Sequence, residues 1–134
     1  MPRKIGKKGL TKKLDKAWGK VIRLHAGNRC EVCGEENYLN SHHIVSRSNR
    51  RLRWELYNGV CLCSGCHTFR NNSAHKNPIW FRNWLKEYRG VDLKLVELTM
   101  NEIQKWTIED RQTRLEELDK LLSYVGGGNV RRIQ

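Results

Sequence analysis

Four cysteines form two pairs whose spacing is typical of a tetrahedral metal site. Two residues separate the cysteines of each pair, and 29 residues lie between the pairs. Two such pairs fold into two tight knuckles that surround one ion with four thiolates, and zinc favours this geometry. No apolar stretch follows the basic N-terminus, so we expect no export signal and reduced thiols rather than disulfides. The predicted ligands of this structural Zn²⁺ are Cys30, Cys33, Cys63 and Cys66.

A fifth cysteine, Cys61, lies two residues before Cys63 and competes with it as a candidate ligand. On a regular strand the two side chains would face the same side of the sheet. The spacing from Cys63 to Cys66 nevertheless repeats the spacing of the first pair. We therefore interpret Cys61 as a small core residue and not as a ligand.

Histidines and asparagines that suit a second, reactive site lie within the same cysteine frame. His42 and His43 are adjacent, and Asn58 precedes a short apolar run. His67 follows the last cysteine, with Asn71 one helical turn later. A neutral imidazole titrates near physiological pH and serves as a general base, and imidazole groups also hold divalent ions. The constellation therefore indicates a reactive metal site on a metal-locked scaffold.

The pattern CEVCG…SHHIV…NGVCLCSGCHTFRN resembles the HNH nuclease family with the ββα-metal fold, in its form with two CxxC pairs. The resemblance covers residues 30–71. It implies that His43 is the general base that activates water, and that Asn58 holds the loop that positions this base. It also implies a catalytic divalent ion, Mg²⁺ or Mn²⁺, with Ni²⁺ or Zn²⁺ as alternatives for a histidine-rich site. The ligands that it implies for this ion are His42, His67 and Asn71.

The adjacency of His42 and His43 sets a geometric condition. On a regular strand their side chains point to opposite faces. Both can serve one site only if the strand ends or bulges at this point. A further histidine, His75, lies in the polar stretch NNSAHKN, and we expect it to be solvated.

The resemblance implies a hydrolase, namely a metal-dependent endonuclease that cleaves phosphodiester bonds in duplex or branched DNA. The helical tail is loosely similar to phage recombination nucleases of the NinG/Rap type, and we expect the cytoplasm of a bacterial or phage-infected cell. Two other functions stay open: a non-catalytic zinc-stabilised module that binds nucleic acid, and a rubredoxin-like electron carrier. A binding module has no need of His43, and an iron–thiolate carrier would absorb visible light. The oligomeric state, monomer or dimer, also stays open.

The charge of the chain favours a polyanionic partner. Lys and Arg number 26 and Asp and Glu number 14, which gives 26 − 14 = +12 with histidine neutral. Residues 1–25 hold nine bases and one acid, and residues 46–53 hold four arginines and no acid. Such a distribution predicts contacts to the DNA backbone with little sequence preference. The predicted DNA-binding residues are Lys4, Lys7, Lys8, Lys12, Lys13, Arg47, Arg50, Arg51, Arg53 and Arg70.

The elements that position these groups are expected to form a small α+β domain, a zinc-stapled ββα-metal (HNH) core with flanking N- and C-terminal helices. The 134 residues leave room for one domain. The sequence contains no run of about 18 apolar residues, so we expect no membrane span. We expect a basic flexible arm at 1–9 and a flexible tail at 126–134. The nuclease domain between them spans 10–125, with its motif core at 28–75 and C-terminal helices at 77–125.

Local signals predict where the first helices and strands lie. Apolar residues at helical spacing predict a helix over residues 10–25. Short apolar runs predict strands near 38–45 and 58–62, and a helix is expected after Gly65.

Further signals predict the helices that follow the motif. Asn77 caps a helix and Pro78 suits its first position, whereas Gly90 predicts its end. Thr99 and Glu102 have the spacing of a capping box, which predicts one final helix that extends to the triple glycine.

Overall fold

The computed structural model describes residues 5–126, and within them it contains four α-helices and one two-stranded sheet. The predicted α+β class is confirmed. The predicted arm residues 1–4, with Lys4, and residues 127–134 of the predicted tail lie outside the described part of the chain. The elements are α1 (Lys7–His25), β1 (Leu39–His43), β2 (Gly59–Cys63), α2 (Pro78–Tyr88), α3 (Gly90–Thr99) and α4 (Ile108–Gly126).

The two strands pair as an antiparallel hairpin whose ends carry different side chains. At one end Leu39 pairs with Cys63, and at the other end His43 pairs with Gly59. Four residues of extended strand correspond to about 13 Å. The hairpin therefore holds a cysteine end and a histidine end apart on one rigid element.

Every residue of β2 is buried because helices cover both of its faces. Cys61 belongs to a core formed with α1 and α4, in which Trp18 and Leu118 are almost fully buried. Val60 and Leu62 belong to a second core, which they share with the cysteine pairs, α2 and α3. No helix within residues 5–126 combines the length and the apolar character needed to cross a membrane.

The helix α1 packs an apolar stripe against α4 and the sheet. It begins at Lys7, inside the predicted basic arm, and ends at His25 as expected. The chain leaves the helix through Gly27, whose φ of +71° favours glycine. The buried positions recur every three or four residues, as an amphipathic helix requires. They include Leu10, Leu14, Trp18 and Val21.

Both ends of α2 are as predicted, but the helix that follows it is not. The side chain of Asn77 accepts a hydrogen bond from the main-chain nitrogen of Trp80, and Pro78 is the first helical residue. The helix ends at Tyr88, just before Gly90, and Gly90 is also the first residue of the unpredicted helix α3. The prediction of one final helix that opens at Thr99 is wrong, because Thr99 is the last residue of α3.

The N-terminus of α4 has the kind of reciprocal cap that the sequence suggests at Thr99. The amide of Asp110 donates to Oγ1 of Thr107 at 3.0 Å, and the amide of Thr107 donates to the Asp110 carboxylate at 3.3 Å. Glu102 instead accepts a hydrogen bond from Arg51. The spacing of a capping box therefore occurs twice in this region, and only the second instance opens a helix.

Candidate metal centres and active site

The four predicted cysteines form one cluster at the cysteine end of the hairpin. Their sulfur atoms all lie within 4.8 Å of one another, and the Sγ atoms of Cys33 and Cys63 are 3.6 Å apart. Thiolates that bind zinc tetrahedrally at about 2.3 Å are about 3.8 Å apart. The cluster therefore fits a structural metal ion such as zinc. Its members are Cys30, Cys33, Cys63 and Cys66.

A tight turn aims the first cysteine pair inward. The amide of Gly34 donates to the carbonyl of Cys30, and the amide of Cys30 donates to the carbonyl of Glu35. Gly34 has a φ of +82°, a conformation that favours glycine. Burial disfavours the thiolate of Cys33, but hydrogen bonds from the main chain at Glu35 and from the other cysteines lower its pKa to about 7. The deprotonated form that binds metal is thus accessible at neutral pH.

Arg70, predicted as a DNA contact, lies beside the cysteine cluster. Its Nη1 donates to Sγ of Cys66 at 3.4 Å. The negative charges of the cysteines, that of Cys66 first, raise the pKa of the Arg70 guanidinium. One divalent ion with four thiolates carries a net negative charge, which a neighbouring guanidinium offsets. Arg70 therefore lies where its charge would support a metal bound by the cysteines, and its contact with phosphate stays a prediction.

Cys61 is separate from this cluster. It is completely buried in the core with α1 and α4. Burial, reinforced by the charge of Glu31, raises the pKa of Cys61 to about 12. A thiol that stays protonated in an apolar core is a packing residue, which agrees with the interpretation from its spacing.

Three histidines form a second cluster. The Nε2 atom of His67 lies 3.1 Å from Nδ1 of His42 and 3.0 Å from Nε2 of His75. All three nitrogens lie within 4.8 Å of one another. Nitrogens that bind one ion at about 2.1 Å are about 3.0–3.4 Å apart in octahedral or tetrahedral geometry. These three residues therefore fit a single divalent ion.

The chain after the last cysteine folds back and brings His75 to His67. The amide of Ala74 donates to the carbonyl of Cys66, and the amide of His75 donates to the carbonyl of His67. His75 is exposed, as the sequence suggests, yet its ring contacts both other histidines. A contact between residues on a returning loop leaves no mark in local spacing, so sequence reasoning missed it.

Asn71, expected as the third ligand, occupies a different position. The segment Gly65–Phe69 is a single π-helical turn and not the longer helix expected after Gly65. Asn71 therefore lies beyond the turn, in an exposed bend, rather than one helical turn above His67. Within residues 5–126, no hydrogen bond joins Asn71 to the three clustered histidines.

The surroundings of two of the clustered histidines, His42 and His67, lower their pKa values and so favour the neutral imidazole at pH 7. Burial, followed by the charges that His67 and His75 would carry, lowers the pKa of His42 to about 3. Burial and the charge of His75 also lower the pKa of His67. Neutral imidazoles keep the lone pairs that bind a metal ion.

His43 is held in one orientation by two contacts. Its Nε2 atom lies 2.9 Å from the carbonyl oxygen of Arg53. A carbonyl oxygen can only accept a hydrogen bond, so Nε2 of the neutral ring carries the proton and Nδ1 has the free lone pair. The ring also stacks on Trp18, with centroids 3.9 Å apart and planes inclined by 10°. Burial lowers the pKa of His43, although the Arg53 carbonyl and the charge of Asp15 oppose this shift.

His42 and His43 lie on different sides of β1 but border the same cleft. The ring of His42 contacts Phe81 of α2 edge to face, whereas His43 lies against Trp18 of α1. The strand ends at His43, and a cleft of about 420 Å³ opens there. Both histidines line this cleft together with His75. Because the strand ends at this point, the adjacent residues His42 and His43 can both border one site.

Asn58 is completely buried and binds the loop that follows β1. Its Oδ1 accepts from the amide of Val45 at 2.8 Å, and its Nδ2 donates to the carbonyls of Val45 and Leu52 at 3.0 and 3.1 Å. The loop leads directly to Arg53, whose carbonyl contacts His43. Asn58 therefore fixes both ends of the loop beside the imidazole.

The predicted basic residues divide into engaged and free side chains. Arg53 forms two hydrogen bonds with Asp15, and Arg51 pairs with Glu55 and Glu102. These two arginines are therefore engaged in ion pairs, and their contacts with phosphate stay a prediction. The exposed basic residues without an ion pair among residues 5–126 include Lys7, Lys8, Lys12, Lys13, Arg47 and Arg50. Sequence reasoning missed Lys16 and Lys20, which continue the four-residue spacing of Lys8 and Lys12 on α1 and are also exposed.

A family model described as HNH endonuclease matches residues 30–73. No curated protein and no solved structure matches the chain. The hairpin and the two clusters define a small α+β domain with metal-binding groups. Its segment 30–73 is similar to HNH endonucleases, as the motif predicts, and it makes up about a third of the sequence. The helix α1, His75 and all helices after it lie outside the matched segment.

Proposed function

We propose that the protein is a metal-dependent endonuclease of the HNH type that hydrolyses phosphodiester bonds in DNA. The observation that carries this proposal is the cleft at the end of β1. It is bordered by two histidines of the converging cluster and by His43, whose neutral ring is fixed through its own hydrogen bond. The match of residues 30–73 to the HNH endonuclease family supports the same reaction.

The divalent ion would be held by His42, His67 and His75. When bound, it would stabilise negative charge on the phosphate and on the leaving oxygen. Three imidazole nitrogens suit Mn²⁺, Ni²⁺ or Zn²⁺ better than Mg²⁺, which prefers oxygen ligands. The replacement of Asn71 by His75 in the proposed set therefore moves the expected metal preference away from Mg²⁺.

The role of His43 is that of general base. With the proton on Nε2 directed to the Arg53 carbonyl, Nδ1 accepts a proton from the attacking water. The positive charge that then develops on the ring is stabilised by the Arg53 carbonyl and by the nearby carboxylate of Asp15. His43 is not needed for the metal set, so the base and the ligands can be separated by mutation.

The exposed lysines of α1 would bind the DNA backbone. Lys8, Lys12, Lys16 and Lys20 form a row with about 6 Å between successive positions. None of the four takes part in an ion pair among residues 5–126, so they remain available for phosphates. Contacts of this kind are independent of sequence and weaken with salt.

Single-turnover cleavage of plasmid and branched DNA, with Mg²⁺, Mn²⁺, Ni²⁺ or Zn²⁺, tests the proposal. We expect the parent to cleave and His43→Ala to lose at least about 10²-fold in rate. Folding, structural zinc content and DNA binding should persist in this variant. His25→Ala is the matched control, because His25 belongs to neither metal cluster. A parent that binds DNA but cleaves with none of the four metals would instead be a non-catalytic binding module.

A further inference from the structure

We propose that α1 positions the general base. Trp18 holds the ring of His43, and Asp15 holds the main-chain carbonyl that accepts a hydrogen bond from this ring. The inference rests on the proposed role of His43. Both residues precede the segment that matches the HNH family, so nothing in that match assigns them a role. Asp15 does not touch His43 and acts through Arg53, which makes it a positioning residue.

The peptide group between Arg53 and Trp54 is anchored from both sides by one carboxylate. Arg53 donates from Nε and Nη2 to the two oxygens of Asp15, at 3.0 and 2.8 Å. Trp54 donates from Nε1 to Oδ1 of Asp15 at 2.9 Å. The carbonyl of this same peptide group accepts the hydrogen bond from His43. Three hydrogen bonds to a single side chain of α1 therefore fix the acceptor that selects the tautomer of the base.

The charge of Asp15 is maintained in this position. Burial alone would raise its pKa, but the hydrogen bonds from Arg53 and Trp54 and the charge of Arg53 lower it. Two parallel hydrogen bonds between a guanidinium and a carboxylate are also more directional than a contact with a point charge. The pair can therefore define the position of the Arg53 main chain.

The location of Asp15 in the sequence supports a role other than DNA binding. It is the one acid among the first 25 residues, which hold nine bases. A carboxylate on this helix weakens the field that attracts phosphates. The contacts to Arg53 and Trp54 supply a reason for an acid at this point.

Trp18 restricts the ring of His43 through a second set of contacts. The indole is 2% exposed, and its Nε1 donates to the carbonyl of Glu55 at 2.9 Å. Gly59, which pairs with His43 across the hairpin, lies directly beneath this packing. A Cβ atom at Gly59 would lie 2.8 Å from Cζ2 of Trp18 and 2.3 Å from Cδ1 of Ile22. Only glycine at this position lets α1 approach closely enough for the indole to stack on the imidazole.

Single-turnover cleavage at saturating DNA and Mn²⁺ tests the positioning role. Asp15→Asn keeps the size of the side chain and an acceptor for Trp54 but removes the charge that binds Arg53. We expect the rate constant to fall about 10- to 100-fold, because misplacing a base by about 1 Å costs up to 10²-fold. The affinity for DNA should stay equal or increase. Asp15→Glu, which retains the charge, should recover part of the rate.

Glu36→Gln is the control. Glu36 also pairs with an arginine, Arg29, and both side chains are about 60% exposed. It lies in the segment before β1, at the cysteine end of the hairpin and away from His43. Its replacement should leave the cleavage rate constant within about 2-fold of the parent, because a surface ion pair contributes little to stability. An equal loss in both variants would overturn the proposal.

A double-mutant cycle separates positioning from general destabilisation. In a His43→Ala background, Asp15→Asn should not lower the residual cleavage further, because the group that it positions is gone. Equal fold losses in both backgrounds would contradict the inference. If Asp15→Asn does not fold, Arg53→Lys tests the pair between Asp15 and Arg53 through the other partner. An ammonium group keeps the positive charge but cannot form the two parallel hydrogen bonds.

The tautomer of His43 provides a measurement that is independent of cleavage. In the zinc-loaded protein without added divalent ion, ¹⁵N NMR of the parent should show the neutral ring protonated at Nε2. Asp15→Asn and Trp18→Leu should show a mixture of the two tautomers. This result would stand even if the parent cleaved no DNA, which would contradict the proposed function alone. A parent ring protonated at Nδ1, or an unchanged tautomer in both variants, would overturn the inference.

Discussion

The cysteine cluster and the histidine cluster are two candidate metal centres of opposite character on one hairpin. Three of the four cysteines are buried, and the cluster offers four ligands, which fill a tetrahedron. The histidine cluster offers three ligands, one of them exposed, beside a cleft. A closed centre can only hold the chain together, whereas an incomplete one leaves positions for substrate and water.

The two clusters also differ in what must happen before metal binds. The cysteines have to lose protons, and burial opposes this for Cys30 and Cys66, whose pKa values it raises. Burial lowers the pKa values of His42 and His67, which are therefore already neutral at pH 7. Metal binding at the cysteines would be coupled to folding through the loss of these protons, whereas His42 and His67 need lose no proton to bind an ion. Four predictions test this difference.

The largest expected effect is the loss of the closed centre. Cys63→Ser should unfold the domain, because zinc bound to four cysteines contributes on the order of 10 kcal/mol to the folding of a small metal domain. Metal analysis and thermal unfolding by circular dichroism measure the effect. Cys61→Ser is the control, and it should keep one zinc per chain while losing some core packing. Zinc retained by Cys63→Ser would mean that Cys61 or another group replaces it.

The second prediction concerns stability in mild acid without added divalent ion. His42 binds a proton near pH 6.5 when unfolded but only near 3 when folded. The unfolded state therefore binds more protons as the pH falls, and the free energy of unfolding decreases. Between pH 7 and 5 this one residue should remove about 2 kcal/mol. Urea denaturation of the parent and of His42→Gln at both pH values isolates the contribution of His42 to the free energy of unfolding, because the two proteins contain the same cysteines. Equal pH dependence in the two proteins would show that His42 titrates normally.

The third prediction distinguishes the two candidates for the third ligand of the open centre. His75→Ala should raise the Mn²⁺ concentration for half-maximal cleavage about 10- to 100-fold, because one of three nitrogens is lost. Asn71→Ala should change it less than about 3-fold. Metal titrations of single-turnover cleavage measure both. The reverse ranking would restore Asn71 to the ligand set.

The smallest expected effect lies on the exposed lysines of α1, which belong to neither cluster. Lys12→Gln and Lys16→Gln should each reduce the slope of log affinity against log salt by about 1, with a loss of a few-fold in affinity. Fluorescence anisotropy with a short DNA duplex measures the slope. Lys120→Gln is the control, because Lys120 lies on α4 beside Glu116, Glu117 and Asp119. A slope unchanged by both α1 variants would place the DNA elsewhere.

The sequence predicts the parts of these centres that depend on local spacing. The four cysteines follow from two CxxC turns, and Asn58 and His43 follow from the motif between them. Asn77 and Pro78 predict the start of α2 because a cap acts within one helical turn. Each CxxC turn and the helix cap form within a few residues, whereas the hairpin brings the two turns together.

The remaining features depend on contacts between distant residues. Arg53 counts as a free base in a charge sum, but Asp15 binds it from 38 residues away. His75 joins the histidine cluster only because its loop folds back. The start of α3 is also difficult to predict, because Gly90 is compatible with the end of one helix and with the start of the next. Local patterns carry no information about these pairings, so the sequence alone could not predict them.

The register of the hairpin has a consequence for both centres at once. Adjacent residues on a strand face opposite sides of the sheet. A shift of one residue in the pairing of β1 and β2 would therefore move every side chain of the shifted strand to the opposite face. His43 would then lose its place on Trp18, and Cys63 would lose its place among the other cysteines. The alignment of the two strands therefore determines which of the two adjacent histidines is placed as the proposed base and which as the proposed ligand. Zinc bound at the cysteine end would fix that alignment, and with it the faces that His42 and His43 occupy at the opposite end before any substrate arrives.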